Sequence, residues 1–345
     1  MTNKTNRPAP TAATLANPNG PLGLSLGALF LKFLRFGALA FGGPVAQIAM
    51  VRQALVDEER WISSGRFNRL LAVLQILPGP EAHELCVHLG MIARGRIGGF
   101  LAGLGFMLPG FLLTLLGGWA YVRWIAGDAD LAGVLLGVQV VVLAIILHAV
   151  VRIGEHIIET WLLAAIATAS LVATMAGVPF WIPLVAGGAA YALAHRRFLV
   201  VGIVLAATGL VVIAHFKSMP SVSMGDPVAQ PVTMLALFVA GLKGGLLTFG
   251  GAYTAIPYVR ADTVGRGWIG DATFLDGVAL AGVLPAPLVI FATFVGYVAG
   301  GFGGALAITA GMFLPAFAFS MIFFERLEAA VENPALHRLL AGSSE

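Results

Sequence analysis

The chain has 345 residues, of which 59% are hydrophobic and only 11% charged, and its formal net charge is +3. Soluble domains carry about 25% charged residues, so this composition excludes a globular protein with a charged, water-facing surface. Apolar runs long enough to cross ~30 Å of hydrocarbon recur along most of the length, which predicts an all-α integral membrane protein. Cys86 is the single cysteine, which excludes an intrachain disulfide and a cysteine metal site. Basic residues are not interleaved with aromatic ones, so we expect no nucleic-acid binding.

A Gly-Gly pair interrupts the first apolar run. Residues 1–20 lack an apolar segment and are typical of a disordered tail, whereas the run at about 22–41 carries Arg35 and ends at Phe41-Gly42-Gly43. Pro44 suits the first position of a new helix, because its missing N–H costs nothing there. The pattern predicts a broken helix beside a cation in the membrane, followed by a helix that carries Gln47 and Arg52.

A second interruption joins two apolar segments, 67–77 and 81–93, through Pro78-Gly79-Pro80. Each segment is too short to span, which predicts a re-entrant hairpin or a discontinuous helix. The second segment begins with titratable side chains, which we interpret as candidates for coupling or gating: Glu81, His83, Glu84 and His88. The simpler role of Glu81 is to stabilise a helix N-terminus.

The remaining elements predict the domain organisation. Residues 97–122 are long enough to span, and further apolar helices occupy 131–215. We therefore expect a first unit at 21–215, a polar linker at 216–230 and a second, shortened unit at 231–345.

The first pattern restarts after the linker, which predicts an internal duplication. Arg35 and Phe41-Gly42-Gly43 recur 208 positions later as Lys243 and Phe249-Gly250-Gly251, and Arg52 recurs as Arg260. The Pro-Gly-Pro turn recurs as Pro285-Ala286-Pro287. The fold class is thus two homologous repeats with broken or re-entrant helices at the Gly-Gly and Pro-x-Pro motifs. We expect the repeats to be inverted, which depends on whether the Pro-x-Pro segments cross the membrane or turn back.

These motifs resemble the chromate ion transporter family. The resemblance rests on five stretches: Phe41 to Gln47, Leu77 to Glu84, Phe249 to Pro257, Leu284 to Pro287, and Phe313 to Ala316. It implies two homologous halves in one chain and export of chromate, which confers chromate resistance, with sulfate as a chemically similar ligand. It also implies a multi-pass protein of the bacterial cell inner membrane that needs no cofactor. Many members of the family carry histidine where this chain has Gln47.

Repeat-built transporters often bind substrate at the ends of broken helices, where unpaired N–H groups and about half a positive charge face an anion. The predicted substrate-binding residues are Arg35, Gly42, Gly43, Pro44, Gln47, Gly79, Pro80, Glu81, Lys243, Gly250, Gly251, Ala252, Tyr253 and Pro287. Arg52 and Arg260 join the coupling or gating candidates, although they also fit interfacial anchors. Arg35 and Lys243 also fit cations that extend to the interface or pair with Glu81 or Glu84.

Other functions stay open at this point. The same fold could take up or exchange sulfate or another dianion, and a scaffold without transport is a further alternative. An intramembrane enzyme would use Glu81, His83, Glu84 and His88, but their spacing matches no paired metal-ligand motif, so we expect neither an enzyme nor a metal site. Small-xxx-small pairs such as Gly99/Gly103 and Gly296/Gly300 predict close helix packing, either within the chain or in a homodimer embedded in the lipid bilayer.

Overall fold

The computed structural model describes residues 23–75, 77–125, isolated positions between 137 and 160, 161–175, 181–192, 231–249 and 252–332. All regular structure in these ranges is helical, as the composition predicts. The chain divides into one compact unit formed by 1–139 and 227–345 and another formed by 140–226. The predicted tail and linker, and the residues beyond 332, lie outside the described ranges.

The larger unit begins with the helices of the first half, by which we mean residues 26–125. They are α1 (Leu26–Ala38), α2 (Gly43–Arg52), a π-helix (Gln53–Glu58), α3 (Ser64–Leu74) and α4 (Glu81–Ala120), which runs into a π turn (Tyr121–Ile125). The smaller unit contains α5 (Trp161–Met175) and α6 (Trp181–Ala192), and Gly187 of α6 packs on Ile166 of α5.

The second half of the larger unit, residues 234–331, has a similar series. It contains α7 (Met234–Leu246), a 3₁₀ turn (Ala252–Thr254), α8 (Ala255–Thr263), α9 (Asp271–Val283), a second 3₁₀ turn (Leu288–Ile290), α10 (Phe291–Ile322) and α11 (Phe324–Val331). The Pro-x-Pro motif precedes the longest helix in both halves.

Helix α4 folds back on itself and is not one straight rod. The backbone leaves the helical region at Arg94 and Gly95, and Gly95 has φ +61°, which glycine adopts at little cost. A short arm at 81–93 then lies against a long arm at 96–120. The two arms are so close that a Cβ on Gly90 would lie 2.5 Å from the Gly98 carbonyl oxygen. At 1.5 Å per residue the short arm is about 20 Å long, less than the ~30 Å of a bilayer core.

Helix α10 has the same fold-back. Its backbone breaks at Gly300 and Gly301, with φ −144° and +63°, which match the −144° and +61° of the break in α4. Its short arm, 291–299, packs on its long arm, 302–322, where Gly296 lies against the Gly304 carbonyl. The first helix of each half packs on the long arm in the same way: Gly37 meets the Phe106 carbonyl and Gly245 meets the Met312 carbonyl.

The outer faces of the long arms are apolar and exposed. Leu116 is 57% exposed and Phe302 is 59% exposed. Among the described residues, two helical stretches are long and apolar enough to cross a membrane, Glu81–Ile125 and Leu288–Ile322. Trp119 and Trp124 meet edge to face at the end of the first one, with ring centroids 4.8 Å apart, which is typical of an interfacial anchor.

Candidate functional site

The Gly-Gly break of the first half starts α2 without a side-chain cap. Gly42 is the N-cap residue and has φ +86°, and Gly43 has φ +78°, a conformation that favours glycine. By contrast, α1, α3 and α7 each begin with a Ser or Thr side chain that accepts from the helix backbone: Ser25, Ser63 and Thr233. Pro44 lies in the first turn of α2, as predicted.

The Pro-Gly-Pro turn of the first half contacts the Gly-Gly region of the second half. The Gly79 N–H donates to the Thr248 carbonyl oxygen at 2.8 Å. Thr248 directly precedes Phe249-Gly250-Gly251. Gly250 and Gly251, which the sequence predicts as binding residues, lie outside the described ranges.

The Pro-Ala-Pro turn of the second half contacts the Gly-Gly region of the first half in return. The buried Gln47 side chain donates from Nε2 to the Ala40 and Ala286 carbonyl oxygens, both at 2.9 Å. Ala40 precedes Phe41-Gly42-Gly43 as Thr248 precedes the second motif. The Gln47 Oε1 atom is buried and has no hydrogen-bond partner among the described residues.

Each Pro-x-Pro turn also packs on the long arm of the other half. The contact is made at the residue that follows the proline inside that long arm. A Cβ on Gly79 would lie 3.1 Å from the Ala316 Cβ, and a Cβ on Gly110 would collide with the Ala286 Cβ. Gly110 follows Pro109 and Ala316 follows Pro315. We call this set of contacts between the halves the crossover. It is defined by Ala40, Gln47, Gly79, Gly110, Thr248, Ala286 and Ala316.

The helices that begin at the crossover have no side-chain caps. The short arm of α4 starts after Pro80, and the short arm of α10 starts after Pro287 and a 3₁₀ turn, with no side-chain hydrogen bond at either start. In the second half, Ala252 is buried and Tyr253 partly buried in the 3₁₀ turn that leads to α8, which also lacks a side-chain cap. Uncapped starts leave N–H donors free for a ligand.

Two titratable residues of the α4 short arm, Glu84 and His83, are buried beside the crossover. Glu84 is fully buried, neither carboxyl oxygen has a partner among the described residues, and a Cβ on Gly79 would lie 2.5 Å from Glu84 Oε1. His83 is fully buried between Phe313 and Phe317, with ring centroids 5.0 and 4.7 Å away. Glu81 is half-buried at the first position of the helix.

The two predicted cations have different surroundings. Arg35 is exposed near the end of α1 and makes no ion pair with the described residues. Lys243, its counterpart on α7, is 44% exposed and lies 3.0 Å from the Asp262 carboxylate. Asp262 also lies 3.4 Å from Arg266. The carboxylate partner of Lys243 is therefore Asp262, not Glu81 or Glu84.

Arg52 and Arg260 each fasten a helix to the start of the next one. Arg52 donates to the Ser64 hydroxyl at 2.9 Å, and Ser64 is the first residue of α3. Arg260 makes a bidentate pair with Asp271, the first residue of α9, with Nε 2.7 Å from Oδ1. The Arg260 guanidinium holds the pKa of the exposed Asp271 carboxyl below its ordinary value. This geometry fits the structural role of an anchor.

His88 lies away from the crossover, in an ionic cluster with α11. Its Nε2 atom is 2.7 Å from Glu328 Oε1, and Arg66 of α3 pairs with the other Glu328 oxygen. Arg69 donates to the Val331 carbonyl oxygen at 2.9 Å. The hydrogen bond from His88, together with the charge of Arg66, lowers the pKa of Glu328 below its ordinary value. The cluster fastens α11 to α3 and α4.

Sequence reasoning predicted only Gln47 and Gly79 among the crossover residues, and Ala40, Thr248 and Asp262 show why other residues of the site were missed. Ala40 and Thr248 supply carbonyl oxygens that accept hydrogen bonds. Each directly precedes a Phe-Gly-Gly motif, and this shared position could have identified both from the sequence. The role of Asp262 could not be predicted, because the sequence positions of Lys243 and Asp262 do not indicate that α7 and α8 bring the two side chains together.

A family model described as a chromate transporter matches residues 27–193 and 235–344. The chain belongs to the chromate transporter family. It is 57% identical over 337 residues to a chromate transport protein of Pseudomonas aeruginosa, a match that covers 96% of this chain and 81% of the relative. It is 32% identical over 302 residues to a chromate transport protein of Cupriavidus metallidurans, covering 85% and 73% of the two chains. No solved structure matches the chain.

The resemblance carried by the Phe-Gly-Gly and Pro-x-Pro motifs is thereby confirmed. Membership of this family also agrees with the exposed apolar faces of the long arms, so the chain is a membrane protein. Its relatives are named as transport proteins, not as enzymes.

Proposed function

We propose that this protein exports chromate across the bacterial inner membrane as a multi-pass transporter. The named relatives in two bacteria support the cargo, at 57% and 32% identity. The observation that carries the proposal is the crossover, where the Gly-Gly region of each half is hydrogen-bonded to the Pro-x-Pro turn of the other. A substrate bound there contacts both halves, so movement of one half against the other changes its access to the two sides of the membrane.

The chemistry of the crossover suits a tetrahedral dianion. Helix starts without side-chain caps present N–H donors and about half a positive charge each. Chromate and sulfate have acceptor oxygens in several directions, so donors from several helices can bind one ion. The binding residues we propose are those predicted from the sequence, with Gly42, Gly43, Gly79, Pro80 and Pro287 forming the backbone cradle. Arg35 and Lys243 supply positive charge at the ends of α1 and α7.

We also infer that the halves are homologous, inverted repeats with alternating access between them. Equal φ angles at the two fold-backs, the matching contacts of Gly37 and Gly245, and two stretches matched by the family model support the duplication. The repeats would occupy 21–215 and 231–345. We also propose that the protein forms a homodimer, and a measurement of the mass of the purified protein in detergent tests this.

Glu84 is the residue we propose for proton coupling, with His83 and His88 as weaker candidates. Its carboxylate has no partner among the residues that the structure describes and would repel a dianion at the crossover, so we expect it to hold a proton while the anion is bound. His88 is committed to Glu328, which favours a structural role for it.

Flux of radiolabelled chromate in proteoliposomes tests the proposal, with sulfate as the related ligand. We expect wild-type flux of chromate and a large loss in Arg35→Ala and Lys243→Ala. Arg96→Ala is the matched control, because Arg96 is 69% exposed and its ion pair with Glu325 is 3.9 Å long. Equal flux in all four proteins would overturn the assignment of the two cations. Flux of sulfate without chromate would favour sulfate exchange on the same fold.

A further inference from the structure

Two buried hydroxyl groups occupy equivalent places in the long arms of α4 and α10. Thr114 lies five residues after Pro109, and Ser320 lies five residues after Pro315. Both side chains are fully buried, and neither hydroxyl has a hydrogen-bond partner among the described residues. A buried hydroxyl without a partner is destabilising, so its presence at both equivalent places needs an explanation.

The other buried threonines that the structure describes have partners for their hydroxyls: Thr293 and Thr309 bond each other at 2.7 Å across the fold-back of α10, and the remaining two bond the carbonyl four positions earlier. Thr263 donates to the Val259 carbonyl at 2.7 Å, and Thr248 donates to the Gly244 carbonyl at 2.6 Å. Such bonds to the residue four positions earlier are the usual solution for a hydroxyl in a helix. Thr114 and Ser320 do not make them, which leaves both O–H groups available.

Thr114 faces the second half beside the start of the α10 short arm. One turn before it, Gly110 packs on Ala286, and one turn after it, a Cβ on Gly118 would lie 3.1 Å from the Tyr297 Cβ. Residues four apart share one face of a helix. The Thr114 hydroxyl therefore lies on the face that runs along the second half from Ala286 to Tyr297, where the uncapped 3₁₀ turn at Leu288 begins.

Ser320 has the equivalent place opposite the first half. Ala316, four positions earlier on the same helix, packs on Gly79, and the ring of Phe317, three positions earlier, lies 4.7 Å from the His83 ring. This face of α10 thus lies along the start of the α4 short arm, beside the uncapped N-terminus at Glu81. Each short arm is faced by a hydroxyl of the other half that has no partner in the described part of the chain.

We propose that the Thr114 and Ser320 hydroxyls are oxyanion-binding groups that donate hydrogen bonds to the dianion at the crossover. The inference rests on the proposed function and adds to it two ligand-binding residues that none of the sequence motifs contains. A hydroxyl can donate to a ligand oxygen beside the N–H donors of a helix start, and a hydrogen bond to a charged partner is stronger than one between neutral groups. Because the two hydroxyls come from different halves, they would contact oxygens on opposite sides of the ligand.

Equilibrium binding of radiolabelled chromate to the purified full chain tests the assignment. Thr114→Val and Ser320→Ala each remove one donor, and we expect each to weaken chromate binding roughly ten-fold, equivalent to about 1.4 kcal/mol. Thr114→Ser and Ser320→Thr keep the donor and should bind as the wild type does. Thr263→Val is the matched control, because its buried hydroxyl is bonded to its own helix.

The outcomes separate this inference from the proposed function. A wild-type chain that binds no chromate removes the proposed function and the inference with it. A wild-type chain that binds chromate, with an unchanged dissociation constant in Thr114→Val or Ser320→Ala, overturns the assignment of that hydroxyl alone. Where a variant fails to fold, the hydroxyl-retaining variant at the same position decides: weakened binding in Thr114→Ser or Ser320→Thr contradicts the proposal.

Discussion

Replacing Gln47 by leucine removes the side chain that connects the two halves at the crossover. Its Nε2 group donates to the Ala40 and Ala286 carbonyls, and the site is 1% exposed, so water cannot replace these bonds. Two unsatisfied buried carbonyls cost about 2–6 kcal/mol together. Loss of the Oε1 atom, which is buried without a partner in the described ranges, returns about 1–3 kcal/mol. We therefore expect Gln47→Leu to lower the free energy of unfolding by about 1–3 kcal/mol.

The assay is equilibrium unfolding in mild detergent, followed by chromate flux of the same protein in proteoliposomes. Gln53→Leu is the matched control, because Gln53 is exposed and its side chain bonds the nearby Glu58 at 3.2 Å. It should unfold and transport as the wild type does. Gln47→His can keep one of the two donors, so its loss of stability should be smaller than that of Gln47→Leu. Equal stability of Gln47→Leu and Gln53→Leu would refute the crossover as a stabilising contact.

Two further predictions concern packing and pH. Gly37→Ala and Gly245→Ala should both be severely destabilising in thermal unfolding, because each new Cβ would collide with a backbone carbonyl. Gly27→Ala is the control and should be neutral, because no described atom lies within 4 Å of a Cβ placed there. A wild-type melting temperature in Gly37→Ala or Gly245→Ala would contradict the close approach of the helices. The lowered pKa of Glu328 stabilises the folded chain above the unfolded pKa of about 4.3, and this contribution disappears as the pH falls through the folded value. Glu328→Gln should therefore melt at a lower temperature than the wild type at pH 7 but not at acid pH, and a pH-independent difference would contradict the role of the ionised carboxylate.

The sequence predicted local features of the site because local chemistry determines them. Gly42 and Gly43 have the positive φ that breaks the helix, and Pro44 lies in the first turn of α2. The all-helical architecture and the family were also predicted, and both are confirmed. The repeat and the substrate-binding residues stay proposals, supported by the equal geometry of the two halves.

Contacts between distant parts of the chain could not be predicted from the sequence in this way. Gln47 and Ala286 are 239 positions apart, and no pattern in either segment identifies the other as its partner. The fold-back at Gly300 and Gly301 was interpreted only as part of a small-residue packing pair, Gly296/Gly300. In the structure Gly296 packs on Gly304, across the break, because the two arms of α10 are antiparallel.

The position of chromium in crystals of the chromate-soaked protein tests the central claim most directly. Anomalous scattering locates the metal atom of the oxyanion independently of the protein atoms. The account predicts one peak between the halves, beside the turns that contain Gly79 and Ala286 and within reach of Thr114 or Ser320. A fully occupied peak elsewhere, for example on the exposed surface of one half, would contradict the crossover as the anion site.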